Sequence, residues 1–600
     1  MLSLIRRHRR SGAKVGVLGT ALVVGAIMFS TAGAPPAQAE LQNPRQTWLR
    51  QSQAGLFLHW GMRTSPVFTS CSAWQNAIRS GGWNANKWVD AAIRLHASYI
   101  VLAAFHSRLG YARAWPSAIP GTCSTTKGND FLGELIRAAH ARNIKVINYM
   151  TDDPSHHAEN GFEYFNSAAY SRFKGRTINL ATRDGFGEFS YDNFFEVMRN
   201  YPDLDGFWID NDNAFWERNN LYRKIHQMRP NMVLSNNNED TPEMDTVSNE
   251  QKTGMTPSYD YPQATFTPAP RLTEADYKLP TGGTWWFSGG DSSVDRKLTI
   301  GRFVTNAGSS IKSLMAETAM INGDLPAQQR SFNTFFDGWI RPIWEAFDRT
   351  EGGGYMYGGL QPGRWNDGAY GVTTVKQGNS NLHYIHVIDR PSGSTLRVRD
   401  NGYRVTRVTN MRTGAGVSFS QSRGVITLTG ISSWDQFDTV FRVQTSGRVG
   451  IYSADSVSST ATASRGGFPA SNLTDGSYLN YWDNNGRMPV TITLDLGSAK
   501  RVEYLGINQR EWSVSYNRSS TEQSARIRSY TLQVSTNGTT WTTVRTATLP
   551  SARGVQLIDV NVASARFVRV VVNSTYAGSS ATRFFHQLRI DEMFVGGSYA

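Results

Sequence analysis

A chain of 600 residues exceeds what one hydrophobic core holds and suits two to four domains. Its 40% hydrophobic and 18% charged residues are ordinary for a soluble globular protein. The formal charge of +13 falls to +8 once five cations of an N-terminal targeting segment are set aside, and no basic run follows, so nucleic acid is not an expected partner.

The targeting segment occupies residues 1–39. Arg6, Arg7, Arg9, Arg10 and Lys14 precede an apolar run from Val15 to Phe29, and Ala37-Gln38-Ala39 offers small residues for cleavage. The run is short for a membrane span, and no later segment reaches the length a span needs. An exported, extracellular protein is expected; the paired arginines leave the export route open. In an oxidising compartment Cys71 and Cys123 are expected to pair, tying two loops after the first and second strands. Neither has a second Cys or a His at metal-ligand spacing.

From about 50 to 320, short apolar runs alternate with helical stretches. GLFLHWG (55–61), YIVLAAFH (99–106), KVINYMTDD (145–153), DGFWIDND (205–212), MVLSNNN (232–238), DTVSNEQ (245–251), TWWFSGG (284–290) and SIKSLMAE (310–317) read as strands ending in polar residues. NKWVDAAIRLHA and DFLGELIRAAHARN between them are amphipathic. This alternation builds a parallel sheet with right-handed crossovers, and eight strands predict a (β/α)8 TIM-like barrel over 40–345. After Trp344, period-2 alternation in AYGVTTVKQ, LHYIHVI and GVITLTG predicts a β-sandwich over 346–445. A Ser/Thr/Ala/Gly-rich stretch then opens a third, all-β module over 449–600.

The strand ends carry the candidate chemistry. Asp152, Asp153, Asp210, Asp212, Glu239 and Glu250 stand there with His59, Trp60, His106, Tyr149 and Trp208. Asp212 or Asn213 fits a helix N-cap better than a catalytic role. Glycoside hydrolysis needs two carboxyls about 5–5.5 Å apart in the retaining geometry, one ionised to attack and one protonated to release the leaving group. The 17 Trp, 24 Tyr and 29 Phe suit sugar faces, though a large core would use them equally. No HExxH, GxSxG or P-loop pattern stands at a plausible place, which argues against metalloprotease, serine-hydrolase and nucleotide chemistry.

These segments resemble the family-29 α-L-fucosidases. GLFLHWG is similar to that family's first-strand signature and implies a sugar contact for His59. YIVLAAFHSRLGYARAW resembles its second-strand segment, which carries two adjacent His; His106 matches the first, and Ser107 stands in place of the second. Tyr149 falls in the third-strand segment. FWID resembles a Trp-x-Asp strand whose Asp is the nucleophile, which implies that role for Asp210. Asn236-Asn237-Asn238 occupies a stretch where the family has an Arg, and Glu250, twelve residues after Asn238, is at the interval of the acid/base. Glu239, Glu243 and Asp245 are near enough to compete for that role. Trp74 and Trp208 are the expected apolar partners of the sugar, and Asn238 a further contact. The two departures leave open an exo-glycosidase acting on a related sugar, or a carbohydrate-binding protein with a decayed barrel. The resemblance implies no cofactor for catalysis.

Residues 449–600 resemble the discoidin, or F5/8 type C, modules that also form carbohydrate-binding family 32. ASNLTDGSYLNYWDNN, ITLDLG, YTLQVSTNGTTW and RIDEMFVGG carry the likeness. It implies a glycan ligand and a structural Ca²⁺ near Asp475 and Glu592, hard-oxygen donors suited to that ion. Oligomeric state is not legible.

Overall fold

The computed structural model describes residues 43–152, 154, 164–237, 243–248, 250, 272–308, 310–352, 361–362, 370–400, 402–422, 425–476, 481–509, 525–550, 555–577 and 588–599. Eight strands close into a barrel in chain order, every neighbouring pair parallel. They are β1 (Ala54–His59), β2 (Tyr99–Ala103), β3 (Lys145–Thr151), β4 (Gly206–Asp210), β5 (Val233–Asn237), β6 (Thr246–Ser248), β7 (Leu272–Lys278) and β8 (Ile311–Glu317).

Most strands feed two cores, because successive side chains leave a strand on opposite faces. Leu56, Leu58, Ile100, Leu102, Phe207, Ile209 and Leu234 join the shell between barrel and helices. Phe57, Val101, Tyr149, Trp208, Val233 and Leu314 fill the barrel itself. The helices match that shell with apolar residues three and four apart. In α1 (Asn86–Arg94) these are Trp88, Val89, Ala91 and Ala92; in α2 (Phe131–His140) they are Phe131, Leu132, Leu135, Ile136 and Ala139. The Asp130 side chain caps α2 by accepting the Gly133 N–H.

One strand differs from expectation. TWWFSGG (284–290) is a loop, and the seventh strand is β7, LTEADYK, whose Glu274 and Asp276 point into the barrel. Acids at alternate positions look like a solvated segment, whereas two adjacent Trp and a Phe look like core. The barrel interior inverts both signs here.

Thr350–Gly352, Gly371–Lys376, Leu382–Val387, Thr439–Thr445 and Val405–Asn410 form one antiparallel sheet beyond the barrel. A four-stranded sheet packs on it around Ile385, Leu396, Ile426, Leu428 and Phe441. In the C-terminal module two long antiparallel strands, Val490–Gln509 and Val555–Thr575, organise a seven-stranded sheet with its own core. A clamp joins module and sandwich: the Tyr599 hydroxyl lies 2.6 and 2.7 Å from the two carboxylate oxygens of buried Asp400, which also accepts from Gln421. Cys71 and Cys123 are joined in a disulfide. Among the described residues no helix is long and apolar enough to cross a membrane.

Candidate active site

At the C-terminal ends of the barrel strands lies a cavity of about 370 Å³, lined in part by His59, His106, Tyr149, Asp210, Glu250 and Asp276. A larger groove of about 640 Å³ opens near Arg50, at the other end of β1. Its Arg50 is paired with Glu351 at 2.7 Å, and none of the strand-end residues faces it.

β4 delivers Asp210 to the rim and the neighbouring strands hold it. Tyr149, from β3, donates its hydroxyl to Asp210 Oδ2 at 2.6 Å. Asn237, from β5, donates its amide to Oδ1 at 3.0 Å. Burial, and then the Asp210 charge, push the Tyr149 phenol well above its usual range, so it stays a donor. Beneath it the Trp208 ring stacks on Tyr149 at 5.5 Å with planes 19° apart. The Trp208 indole N–H donates to Glu274 Oε1 at 2.8 Å, and Tyr99 donates to the other oxygen of the same carboxyl. Trp208 is thus both interior packing and the floor of the site.

His59 is almost fully buried, and its Nδ1 has no hydrogen-bond partner among the described residues. Burial first, and His106 second, depress its proton affinity well below the usual range, so the ring is neutral. A neutral imidazole offers one donor and one acceptor, the pattern a sugar hydroxyl satisfies. Its ring sits 5.5 Å from His106 and 5.4 Å from Trp285. His106 itself accepts the Arg108 N–H at Nδ1.

Of the competing acids, Glu250 lines the cavity and is half-buried. Asp245 is fully buried at the start of β6, tied to Arg45 at 2.6 Å and to the Leu234 N–H; Glu243 faces Arg223. Asp153, Asn238 and Glu239 lie outside the described residues. Asp212 accepts the Tyr222 hydroxyl at 2.6 Å, and Asn213 caps the helix that follows, so both are structural.

Trp74 is not a sugar partner. It is fully buried in the helical layer, 5.5 Å from Trp60 and 6.2 Å from Phe131, and does not line the cavity. The exposed aromatic faces come instead from Trp285 and Trp286, beside Phe57, His59 and His106. Arg108, Asn211, Asn237 and Asp276 complete what sequence reasoning missed. Asn237 is the neighbour of the expected contact, Asn238, within a run of three Asn. Asn211 takes the left-handed backbone (φ +61°) just after Asp210, a conformation Asn tolerates.

In the C-terminal module Asp475 and Glu592 approach each other. Burial, and then the Asp475 charge, push the Glu592 carboxyl up to about 9, and its Oε2 accepts the Gly476 N–H at 3.1 Å. No group of three or more His, Cys, Asp or Glu that could hold a metal gathers among the described residues. Glu592 and Asp475 are hard-oxygen groups, the donor type Ca²⁺ takes.

Residues 75–266 match the family model described as Alpha-L-fucosidase, and residues 454–584 match that described as F5/8 type C domain. No curated protein matches the chain. Alpha-L-fucosidase isoenzyme 1 from Paenibacillus thiaminolyticus is 18% identical, with a TM-score of 0.52 over 68% of this chain and 100% of that one. A GH29 alpha-L-fucosidase from Bacteroides thetaiotaomicron, trapped as a covalent intermediate with 2-fluoro-fucosyl fluoride, is 17% identical with a TM-score of 0.51, covering 68% and 97%. The Thermotoga maritima alpha-fucosidase in complex with fucose is 13% identical with a TM-score of 0.50, covering 68% and 98%. At these identities the likeness to solved structures is one of fold.

Proposed function

Because residues 75–266 belong to the alpha-L-fucosidase family of glycoside hydrolases and residues 454–584 to the F5/8 type C domains, we propose that this chain is a secreted, retaining exo-α-L-fucosidase. The observation that carries this reading is the Asp210 carboxylate, held from two sides by Tyr149 and Asn237 in a cavity that Glu250 also lines.

In the first half-reaction an Asp210 oxygen attacks the anomeric carbon while the bond to the aglycone oxygen breaks, and Glu250 gives that oxygen its proton. In the second, Glu250 takes a proton from water, whose oxygen displaces Asp210 and releases the sugar with its configuration retained. Tyr149 and Asn237 fix the carboxylate rotamer. His59 and His106 take ring hydroxyls, and Trp285 and Trp286 offer apolar faces. Arg108 brings a cation to the place where Ser107 has replaced a His. The C-terminal module binds glycan and raises the local substrate concentration by tethering. Asp475 and Glu592 would hold a Ca²⁺ there, which would brace the fold and take no part in hydrolysis.

A panel of nitrophenyl glycosides tests the sugar. Release from the α-L-fucoside is expected; release only from a different glycoside moves the scaffold to a related sugar, the reading that Ser107 favours. Turnover of no glycan at all leaves a carbohydrate-binding protein. Incubation with 2-fluoro-fucosyl fluoride should place the label on the Asp210 peptide. Export predicts that protein recovered from the medium begins near Glu40.

A further inference from the structure

β7 brings two acids into the barrel, and the proposed hydrolysis uses neither. Glu274 is sealed beneath Trp208, but Asp276, one layer higher, lines the same cavity as Asp210 and Glu250. Ser248 pairs with Glu274 at the end of the β6–β7 ladder, and Glu250, two residues after Ser248, lines the cavity near enough to Asp276 for its charge to act on it. The Ser248 hydroxyl donates to Asp276 Oδ1 at 2.8 Å. On the other side β8 puts apolar Leu314 level with Asp276. Among the described residues, the titratable groups around it are Glu250 after β6, Glu274 below, and Asp210, His59, His106, Tyr149 and Arg108 on the same cavity.

We infer that Asp276 is a positioning residue for Glu250: a neutral carboxyl, oriented by Ser248, that donates a hydrogen bond to the second carboxyl of the site whenever that group is ionised. The inference rests on the reading of Glu250 as the acid/base. Burial, and then the Glu250 charge, raise the Asp276 carboxyl well above the usual range, which agrees with its neutrality. A buried carboxylic acid that stays protonated is a good donor to an anion, because it brings no competing charge. Glu250 is ionised between the two half-reactions, when it must turn from acid to base, and there Asp276 steadies it. The proton of Asp276 is never transferred.

The pH dependence of kcat/KM separates this role from a structural one. The alkaline limb reports Glu250 losing its proton, and a donor to the ionised form keeps that limb low. Asp276→Ala is expected to move the limb up by about one pH unit, the worth of a hydrogen bond to a charged group. Asp276→Asn keeps an N–H donor and should leave the limb within a few tenths of a unit. Were Asp276 ionised in the working enzyme, both variants would move the limb down, and the inference falls. It falls equally if kcat drops and the limb stays. Ser248→Ala, which removes the orienting hydroxyl, should give a smaller upward shift and serves if Asp276→Ala does not fold. Glu250→Gln is the separate control: an alkaline limb that persists in it overturns the acid/base reading itself, whatever Asp276 does.

Discussion

Tyr149 concentrates the logic of the site in one side chain. Its hydroxyl reaches Asp210 and its ring rests on Trp208, so one residue couples the carboxylate to the barrel interior. Tyr149→Phe keeps the stack and deletes the hydrogen bond. A bond to a charged group is worth about 1.5–3 kcal/mol, so kcat should fall roughly 10- to 100-fold with little change in Tm. The aromatic residues divide in the opposite way. Trp74→Ala opens a cavity among packed rings and should cost about 3–5 kcal/mol of stability by denaturant titration, with KM unchanged in the enzyme that remains folded. Trp285→Ala should do the reverse, raising KM while leaving stability close to wild type.

At the scale of elements, β8 carries a pH-sensitive carboxyl. Glu317 is fully buried against the helix Ala327–Ile340, where Asn333 donates to it at 3.2 Å, and burial pushes it up to about 8. A carboxyl raised on folding favours the folded state fully below its unfolded value, near 4.5, and loses that contribution as pH rises toward 8. Each pH unit inside that window removes about 1.4 kcal/mol at most. Glu317→Gln should therefore flatten the decline in Tm between pH 5 and 8; parallel curves for the two proteins would show that Glu317 does not titrate there. The strands also show what the sequence could reveal. GLFLHWG and FWID were legible because an apolar run that stops at His59 or Asp210 has few meanings in an alternating α/β chain. LTEADYK was not, because its acids serve the barrel interior through Trp208, Tyr99 and Ser248, partners that lie on other strands. TWWFSGG misled for the complementary reason. Its rings pack against His59 and His106 across the cavity mouth, a contact that no local pattern encodes.

For the whole molecule, the C-terminal module is where an ion should register. The charge of exposed Asp475 acts against ionisation of buried Glu592. Calcium at about 100 times its Kd should stabilise the module by about 2.7 kcal/mol, seen as a chelator-reversible rise in Tm. Glu592→Gln should abolish that rise while leaving aryl-glycoside turnover intact. An equal response in both proteins would remove these residues as the site.

The Asp400–Tyr599 clamp carries a consequence for how such a protein would meet a branched surface. Tyr599 stands one residue from the end of the sequence, yet it closes over an acid of the preceding sandwich instead of trailing free. The clamp thus holds the end of the module against the sandwich. If the module binds glycan as proposed, such a fixture would act as callipers, favouring glycans whose anchoring and scissile sugars are spaced to match.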